Sequence, residues 1–496
     1  MCYFIITVML SNIIKLIDKE KLAAAIILFA AFVFIPYKIL SSGFMPIDDG
    51  NRHVAYSVTS STNWSEVLEI EPSLAADHNK GWHCILRALH KYLKIDKDKL
   101  LIFTVVALFL IFNITGSLIA PNIGSWTVVL ILVFVFDRGL FVRMLSGRPF
   151  IISCITTLLL FKLWFVESEP QIKTISRYIY SLIILSLAVW LHGTWYTFLI
   201  LPMALLLSGK LKKSIELTVI ILVSTLLGAY LTGEFDQFLY FHYAATLNIF
   251  TEKLYNWQLV TEFAEGNIHN FWMIPTVIII WFLIYSKKMT LNELSKDSLF
   301  IMVLLCWMLS IKVVRFWIDW GLIALMCWLS YKISDLINEM QTIKKPFFRR
   351  VLFLFTVISI VILVPGCKWS NQKERNYYYA DFSTAKFADY KPPEGGIIYN
   401  DNMTHFYFQY YHDPEGKYKY VLGFEPAIML NENRKVFREI IYSNFHYSSY
   451  KPWIDKLTEK DRIFTSTDIS IHYPQLDWIK GGKKLWIGKL SSSKHE

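Results

Sequence analysis

"LLIFTVVALFLIFNITGSLIA" occupies residues 100–120 and contains no charged side chain. A helix of this length is about 30 Å long, which matches the hydrocarbon core of a bilayer. Comparable apolar runs recur along the chain, at 22–40, 100–120, 124–136, 149–166, 175–191, 194–208, 214–232, 271–285, 298–312, 315–331 and 350–366. We therefore predict an α-helical integral membrane protein with about eleven spans, several of them tilted or broken.

The composition agrees with this prediction. Of the 496 residues, 54% are hydrophobic and 16% aromatic, which is rare in a water-soluble protein of this length. The net charge of +10 does not indicate a nucleic-acid partner, because the lysines gather in short links between the apolar runs. That distribution is the positive-inside pattern of membrane proteins.

The lysine-rich links also predict the topology. They lie at 18–21, 208–214, 286–296 and 331–350. Counting spans places all four on one side, so we expect a cytoplasmic N-terminus and an extracytoplasmic C-terminal region. The Lys/Ile-rich composition, without a eukaryotic targeting signal, favours a bacterial inner (cytoplasmic) membrane. Polar residues at membrane level then gather on the extracytoplasmic face.

From residue 367 onward the sequence becomes polar and rich in tyrosine, with Pro and Gly turns. The runs "GGIIYN" (395–400) and "KYKYVLGF" (417–424) predict strands, and "ENRKVFREIIYS" (432–443) predicts a helix. We divide the chain into a transmembrane domain, 1–366, with an extracytoplasmic loop at 41–99, and a soluble extracytoplasmic α+β domain, 367–496.

A pair of carboxylates follows the first predicted span, in "GFMPIDDGNRH" (43–53). Asp48 and Asp49 stand at the membrane boundary, where a partly shielded carboxylate is a suitable general base. A solvated loop is the alternative, with Arg52 and His53 as ion-pair partners. For His53 alone, the structural role is the simpler interpretation.

Three arginines lie within "DRGLFVRMLSGRP" (137–149), on the predicted outer side. Arg138, Arg143 and Arg148 depart from the positive-inside tendency, and a phosphate ligand would explain them, because the guanidinium fork binds phosphate bidentately. Pairing with lipid headgroups or with acidic side chains is the alternative.

Two further turns carry candidate residues. Arg315 and Asp319 lie where one span ends and the next begins, as an i,i+4 ion pair or as an arginine aimed at phosphate and oriented by the aspartate. His192, in "VWLHGTWY", closes another span and is either structural or a hydrogen-bond donor to a leaving phosphate. The cysteines show no CxxC spacing, and Asp77, His78 and His83 show no strong metal-ligand spacing, so no metal site is indicated.

These features together resemble the GT-C superfamily of membrane glycosyltransferases, whose acidic residues lie in the first extracytoplasmic loop, just after the first span. "DDGNRH", "GRPF", "LHGTWY" and the C-terminal "IIYNDN", "FYFQYY" and "YKYVLGFEP" also resemble a group of uncharacterised bacterial membrane proteins of this design. The likeness covers most of the chain at the level of architecture and short motifs. The signature of a particular GT-C family is missing, so the donor sugar and the acceptor stay open.

The resemblance implies an inverting transfer of a sugar from a polyprenyl-phosphate-linked donor to a glycan, lipid or protein acceptor. Either Asp48 or Asp49 would be the general base. The groups implied to bind the donor phosphate are Arg315, Arg148, Arg143 and His192, and the other candidates are Arg52, His53, Arg138 and Asp319. The scheme requires no cofactor, although a divalent metal is compatible with it. Membrane lipids are the remaining expected partners.

Two other functions fit parts of the pattern. A polysaccharide polymerase or ligase also uses outward-facing arginines and a lipid-linked donor, but it transfers a glycan chain and usually needs no acidic pair after the first span. A transporter of lipid-linked sugars is the non-enzymatic alternative. Transporters commonly contain repeats and bind substrate near the midplane, whereas here no repeat is visible and the polar groups crowd one edge.

Overall fold

The structure of the chain is a computed structural model. It describes residues 26–29, 32–33, 49–136, 140, 143–144, 146–166, 173–251, 284–285, 290–342 and 378–491. Asp48 and Arg138 lie outside the described residues, as do the predicted span at 350–366 and most of those at 22–40 and 271–285.

The described part of the chain is mostly helical, with a small sheet near its C-terminal end. The helices are α1 Gly50–Val58, α2 Lys80–Leu93, α3 Lys97–Ile119, α4 Ile123–Phe136, α5 Phe150–Leu160, α6 Thr174–Leu191, α7 Ile200–Leu207, α8 Leu211–Leu231, α9 Phe235–Thr251, α10 Leu291–Lys296, α11 Ser298–Ser310, α12 Leu322–Thr342, α13 Met403–His412, α14 Asn431–Tyr442 and α15 Lys451–Ile454. The strands are β1 Ile397–Asn400, β2 Lys419–Tyr420, β3 Arg462–Thr465, β4 Leu476–Gly482 and β5 Leu485–Leu490.

Three of these helices, α3, α6 and α8, are long and apolar enough to cross a membrane, judged by length and composition. Further apolar helical segments are shorter, at Ile123–Val133, Phe150–Phe165, Trp195–Leu207 and Ser298–Ser310. The expectation of a helical membrane protein is confirmed to this extent. The number of eleven spans stays a prediction.

The surface of α6 has the character of a lipid-facing helix. Ile175, Ile179, Ile183 and Leu187 are 42–73% exposed, and they follow one another every four residues along one face. In water such a continuous apolar stripe would be unfavourable, whereas hydrocarbon chains accommodate it. The exposed stripe therefore agrees with a membrane environment for this helix.

Irregular turns precede two of the apolar helices. A 3₁₀ turn, Trp195–Leu199, leads into α7, and a π-helical turn, Trp317–Gly321, leads into α12. π-helical turns are rare and are found frequently at functional sites. The Sγ atom of Cys154 on α5 lies 3.7 Å from the backbone oxygen of Asp319, so α5 packs directly against the π-helical turn.

The C-terminal strands form one mixed sheet in the order β2-β1-β3-β5-β4. Strand β1 runs parallel to β2 and β3, while β5 runs antiparallel to β3 and β4. The predicted strands at 395–400 and 417–424 correspond to β1 and β2, and the predicted helix at 432–443 corresponds to α14. The small α+β unit expected from the composition is therefore present.

The loop that follows α1 extends the edge of this sheet. Leu68 forms a parallel bridge with Tyr420 of β2, and Ile70 forms an antiparallel bridge with Met429. The amide of Glu69 donates to the carbonyl oxygen of Tyr420 at 2.9 Å. These backbone hydrogen bonds fix the sheet against the loop and bring the chain after β2 over α1.

Close backbone packing at Gly50 fixes the start of α1. An added Cβ there would lie 2.2 Å from the backbone oxygen of Ser146. We expect Gly50→Ala to lower the free energy of unfolding by about 1–3 kcal/mol, because one backbone has to move. Thermal unfolding in detergent measures this. The control is Gly124→Ala on α4, where the nearest atom is the side-chain oxygen of Asn122 at 3.3 Å. Equal losses in the two variants would contradict the close approach.

Candidate functional site

Asp49 lies at the N-terminal end of α1 between two arginines. Its Oδ1 accepts a hydrogen bond from Arg52 Nε at 2.9 Å, and its Oδ2 accepts one from Arg148 Nη2 at 2.9 Å. Burial alone would raise the pKa of Asp49, but the charges of Arg52 and Arg148 hold it well below its usual range. The carboxylate is therefore ionised at neutral pH.

Two aromatic rings lie against the guanidinium group of Arg52. Its guanidinium carbon lies 4.0 Å from the centroid of the Phe424 ring and 5.5 Å from that of Trp64. Phe424 follows β2, and Trp64 belongs to the loop that extends the sheet. The C-terminal segment thus covers the Asp49 ion pairs, and contacts of this kind favour a cation.

A second ion-pair cluster is built around Asp319 in the π-helical turn. Arg143 Nη1 donates to Oδ1 of this carboxylate, and Arg315 Nε donates to Oδ2 at 2.8 Å. The i,i+4 pair considered in the sequence analysis is therefore present, with Arg143 as an additional partner. Arg143 and Asp319 are buried, whereas the side chain of Arg315 is 21% exposed.

A small cleft opens beside this second cluster. It is lined by Phe150, Ser153, Cys154, His192, Thr194, Thr197, Arg315, Asp319 and Trp320. The Nδ1 atom of His192 lies 2.8 Å from Ser153 Oγ and 3.0 Å from Thr194 Oγ1. Two charged groups and several hydroxyls therefore face a small space between α5, the turn after α6 and the π-helical turn.

The two clusters adjoin each other. The ring of Phe150, which lines the cleft, lies 5.2 Å from the guanidinium carbon of Arg143 and 6.0 Å from that of Arg148. Burial lowers the pKa of His192, and the positive charges of Arg315 and Arg148 lower it further. His192 is thus neutral and close enough to interact with both clusters.

The structure brings most of the sequence-predicted residues into these two clusters and the cleft. They are Asp49, Arg52, Arg143, Arg148, His192, Arg315 and Asp319. His53 belongs instead to a separate chain of hydrogen bonds, in which its Nδ1 lies 2.8 Å from His83 Nε2 and His83 Nδ1 lies 2.6 Å from Asp77 Oδ2.

The sequence does not predict these hydrogen bonds between Asp77, His83 and His53. It also does not predict the contacts of the Phe150 and Phe424 rings with the arginines. Asp77 and His83 had been considered only as metal ligands. Among the residues that the structure describes, no group of three or more His, Cys, Asp or Glu side chains is arranged to hold a metal ion. No local pattern in the sequence joins His53 to a histidine thirty positions away, so only the fold could place them together.

Burial lowers the pKa of five histidines near these clusters, His53, His78, His83, His192 and His242. As the pH falls, each of these histidines is protonated in the unfolded state, where the pKa is about 6.5, before it is protonated in the folded state. We expect the free energy of unfolding to fall as the pH drops below that value, with a limiting slope of about 1.4 kcal/mol per pH unit for a histidine that stays neutral in the folded state.

Thermal unfolding in detergent from about pH 7.5 to about pH 5 measures this dependence. His53→Asn removes one of the buried imidazoles and should make the dependence shallower. His446→Asn removes an exposed imidazole and should leave it unchanged. A melting temperature that does not vary over this range would contradict the burial of neutral histidines.

Comparisons with known proteins add no identity to this geometry. No protein-family model matches the chain, and no curated protein is significantly similar to it in sequence.

Proposed function

We propose that this protein is a membrane glycosyltransferase that moves a sugar from a polyprenyl-phosphate-linked donor to a hydroxyl group of a glycan, lipid or protein. The observation that carries the proposal is that the ionised carboxylate of Asp49 pairs with Arg52 and Arg148 next to a second cluster, whose Arg315 lines a cleft among apolar helices. A lipid-borne phosphate and an acceptor hydroxyl need these two kinds of group side by side.

The donor phosphate binds to the arginines. Arg315 lines the cleft and is partly exposed, and Arg148 lies 6.0 Å from the centroid of the Phe150 ring, which also lines the cleft. Both guanidinium groups are already oriented by carboxylates, so they meet developing negative charge with little reorganisation. His192 is neutral and offers its ring N–H group to a phosphate oxygen.

The acceptor hydroxyl lies on the Asp49 side. Its oxygen forms a bond to the anomeric carbon while the bond from that carbon to the phosphate oxygen breaks on the opposite face, which inverts the configuration. The polyprenyl phosphate leaves with the electron pair, and the proton goes to Asp49. When the phosphate draws Arg148 towards itself, the carboxylate loses part of its stabilisation and becomes a stronger base.

The proposal includes the membrane arrangement expected from the sequence. About eleven spans place the N-terminus in the cytoplasm and the C-terminal α+β unit outside, in a bacterial inner membrane. The contacts of Leu68 and Ile70 with the sheet support this arrangement, because they require the loop after α1 and the C-terminal unit to lie on one side.

Sugar transfer by the purified protein tests the proposal. The protein is incubated with radiolabelled polyprenyl-phosphate sugars and a native lipid extract. We expect the label to pass to an acceptor while free polyprenyl phosphate accumulates. Transfer of a long glycan would favour a polymerase or ligase. Passage of intact labelled donor across proteoliposomes, without transfer, would favour a transporter.

A further inference from the structure

Three buried side chains form a line of hydrogen bonds beside Asp49. Asp77 precedes α2, His83 lies in the first turn of α2, and His53 lies on α1. The two contacts are 2.6 Å between Asp77 Oδ2 and His83 Nδ1, and 2.8 Å between His83 Nε2 and His53 Nδ1. Each of these residues is only 1% exposed, so water does not compete for the contacts.

The charge of Asp77 sets the direction of these hydrogen bonds. Burial would raise the pKa of this carboxyl, but the hydrogen bonds that it accepts from His83 and from the backbone amide of Asn79 lower it below its usual range. An ionised carboxylate only accepts hydrogen bonds, so Nδ1 of His83 must carry a proton. Burial lowers the pKa of His83, which is therefore neutral and has a lone pair at Nε2.

The same reasoning fixes the tautomer of His53. Its Nδ1 must donate to the lone pair of His83, and burial keeps the ring of His53 neutral. Its Nε2 is consequently an unprotonated acceptor. Within the part of the chain that the structure describes, this buried atom has no hydrogen-bond partner. An unsatisfied buried acceptor is costly, and each one in a native structure calls for an explanation.

The surroundings of His53 connect its ring electrostatically with the Asp49 cluster. The charged and titratable groups that act on the ring are Arg52 and Asp49 from the start of α1, His83 from α2, and His78 from the preceding loop. The backbone amide of His53 donates to the carbonyl oxygen of Asp49 at 3.1 Å, so the two residues are one helical turn apart. The ring of His53 therefore lies at the same end of α1 as Asp49, and the charge of Asp49 acts on it.

We propose that Asp77 and His83 fix Nε2 of His53 as a hydrogen-bond acceptor for a sugar hydroxyl of the substrate. The inference rests on the proposed function and adds a substrate-binding residue, His53, with two positioning residues behind it. A hydroxyl group is the suitable donor, because it supplies one hydrogen to a neutral nitrogen without bringing a charge into a buried site. The hydroxyl belongs either to the transferred sugar or to the acceptor.

Two substitutions separate this role from a structural one. In Asp77→Asn the side-chain amide can donate to His83 Nδ1, which reverses both hydrogen bonds and puts a proton on Nε2 of His53. In His53→Asn the amide nitrogen still donates to His83, but the acceptor at the position of Nε2 is lost. Asp77→Asn preserves the size of the side chain, whereas His53→Asn shortens it, so thermal unfolding checks the folding of both variants. Each changes the atom offered to the ligand.

Imidazole ¹⁵N NMR of histidine-labelled protein provides a measurement that does not depend on activity. His53→Asn assigns the resonances of His53. We expect an unprotonated Nε2 in the wild type and a protonated one in Asp77→Asn. A protonated Nε2 in the wild type, or an unchanged one in Asp77→Asn, would overturn the relay.

Kinetics and titration test the ligand. Both variants should lose about 10- to 100-fold in kcat/KM, as expected when a buried partner goes unpaired. A rise in KM for the donor or for the acceptor identifies which sugar carries the hydroxyl. The matched control is His405→Asn, which removes a buried histidine bonded to the backbone oxygen of Lys484 and should leave kcat/KM unchanged.

Failure of the proposed function is distinguishable from failure of this inference. If the wild type transfers no sugar, adding the polyprenyl-phosphate sugars and the lipid extract should still shift the Nε2 resonance of His53 on binding. If neither addition shifts it, or if His53→Asn transfers sugar with the kcat/KM of the wild type, His53 does not bind the substrate.

Discussion

Asp49→Asn is expected to reduce kcat for sugar transfer by about 10²- to 10⁴-fold, the usual consequence of removing a general base. The amide keeps the size of the side chain but retains an acceptor for only one of the two hydrogen bonds, because Arg52 and Arg148 donate to different oxygens. It cannot take a proton from the acceptor hydroxyl, and it no longer balances the two guanidinium charges. Asp49→Glu retains the carboxylate but displaces it, so we expect an intermediate rate.

The measurement is kcat for radiolabelled transfer, with folding checked by thermal unfolding and size-exclusion chromatography in detergent. Asp96→Asn is the matched control, since Asp96 is an exposed helix cap and asparagine caps a helix equally well. Comparison with Asp48→Asn tells which of the two carboxylates takes the proton. A folded Asp49→Asn protein with the rate of the wild type would remove Asp49 from the mechanism.

The apolar runs of the sequence predict the helices well, because length and the absence of charge are local properties. The runs at 100–120, 175–191 and 214–232 correspond to α3, α6 and α8 almost residue for residue. The π-helical turn Trp317–Gly321 could not be predicted in this way. Hydropathy does not distinguish one type of helical turn from another, and the contact of this turn with Cys154 of α5 joins residues 165 positions apart.

In the candidate site, too, the local contacts could be predicted from the sequence and the long-range contacts could not. The Asp49–Arg52 and Arg315–Asp319 pairs lie three and four residues apart, where helical geometry suggests a contact. The other half of each cluster comes from far along the chain, because Arg148 lies 99 positions from Asp49. The sequence indicated which side chains were unusual, and the fold decided their partners.

No pattern in the sequence predicts that the C-terminal segment packs over Arg52. Phe424 and Trp64 lie against Arg52 where the bridges of Leu68 and Ile70 join the loop after α1 to the C-terminal segment. Such bridges are formed by backbone N–H and C=O groups, which nearly every residue carries, so no side-chain pattern predicts them. The sequence therefore predicted a C-terminal α+β unit but not its contact with α1.

Arg315→Met is expected to lower kcat for transfer by about 10²- to 10³-fold, as when one preorganised donor to a developing anion is removed. Arg315 lines the cleft, and its guanidinium is the partly exposed member of the second cluster. The buried carboxylate of Asp319 keeps Arg143 as its partner, so the fold should tolerate the change. Arg315→Lys retains the charge without the fork and should have an intermediate kcat.

The matched control is Arg177→Met. This arginine is also partly buried and also paired, with Glu216 at 3.6 Å and with the ring of Trp164 at 4.5 Å, but it does not line the cleft. Its loss should change thermal stability more than kcat. The two variants therefore separate the binding of a phosphate from the general effect of removing an arginine. If both reduce kcat equally, or if Arg315→Met leaves it unchanged, the donor phosphate does not bind at Arg315.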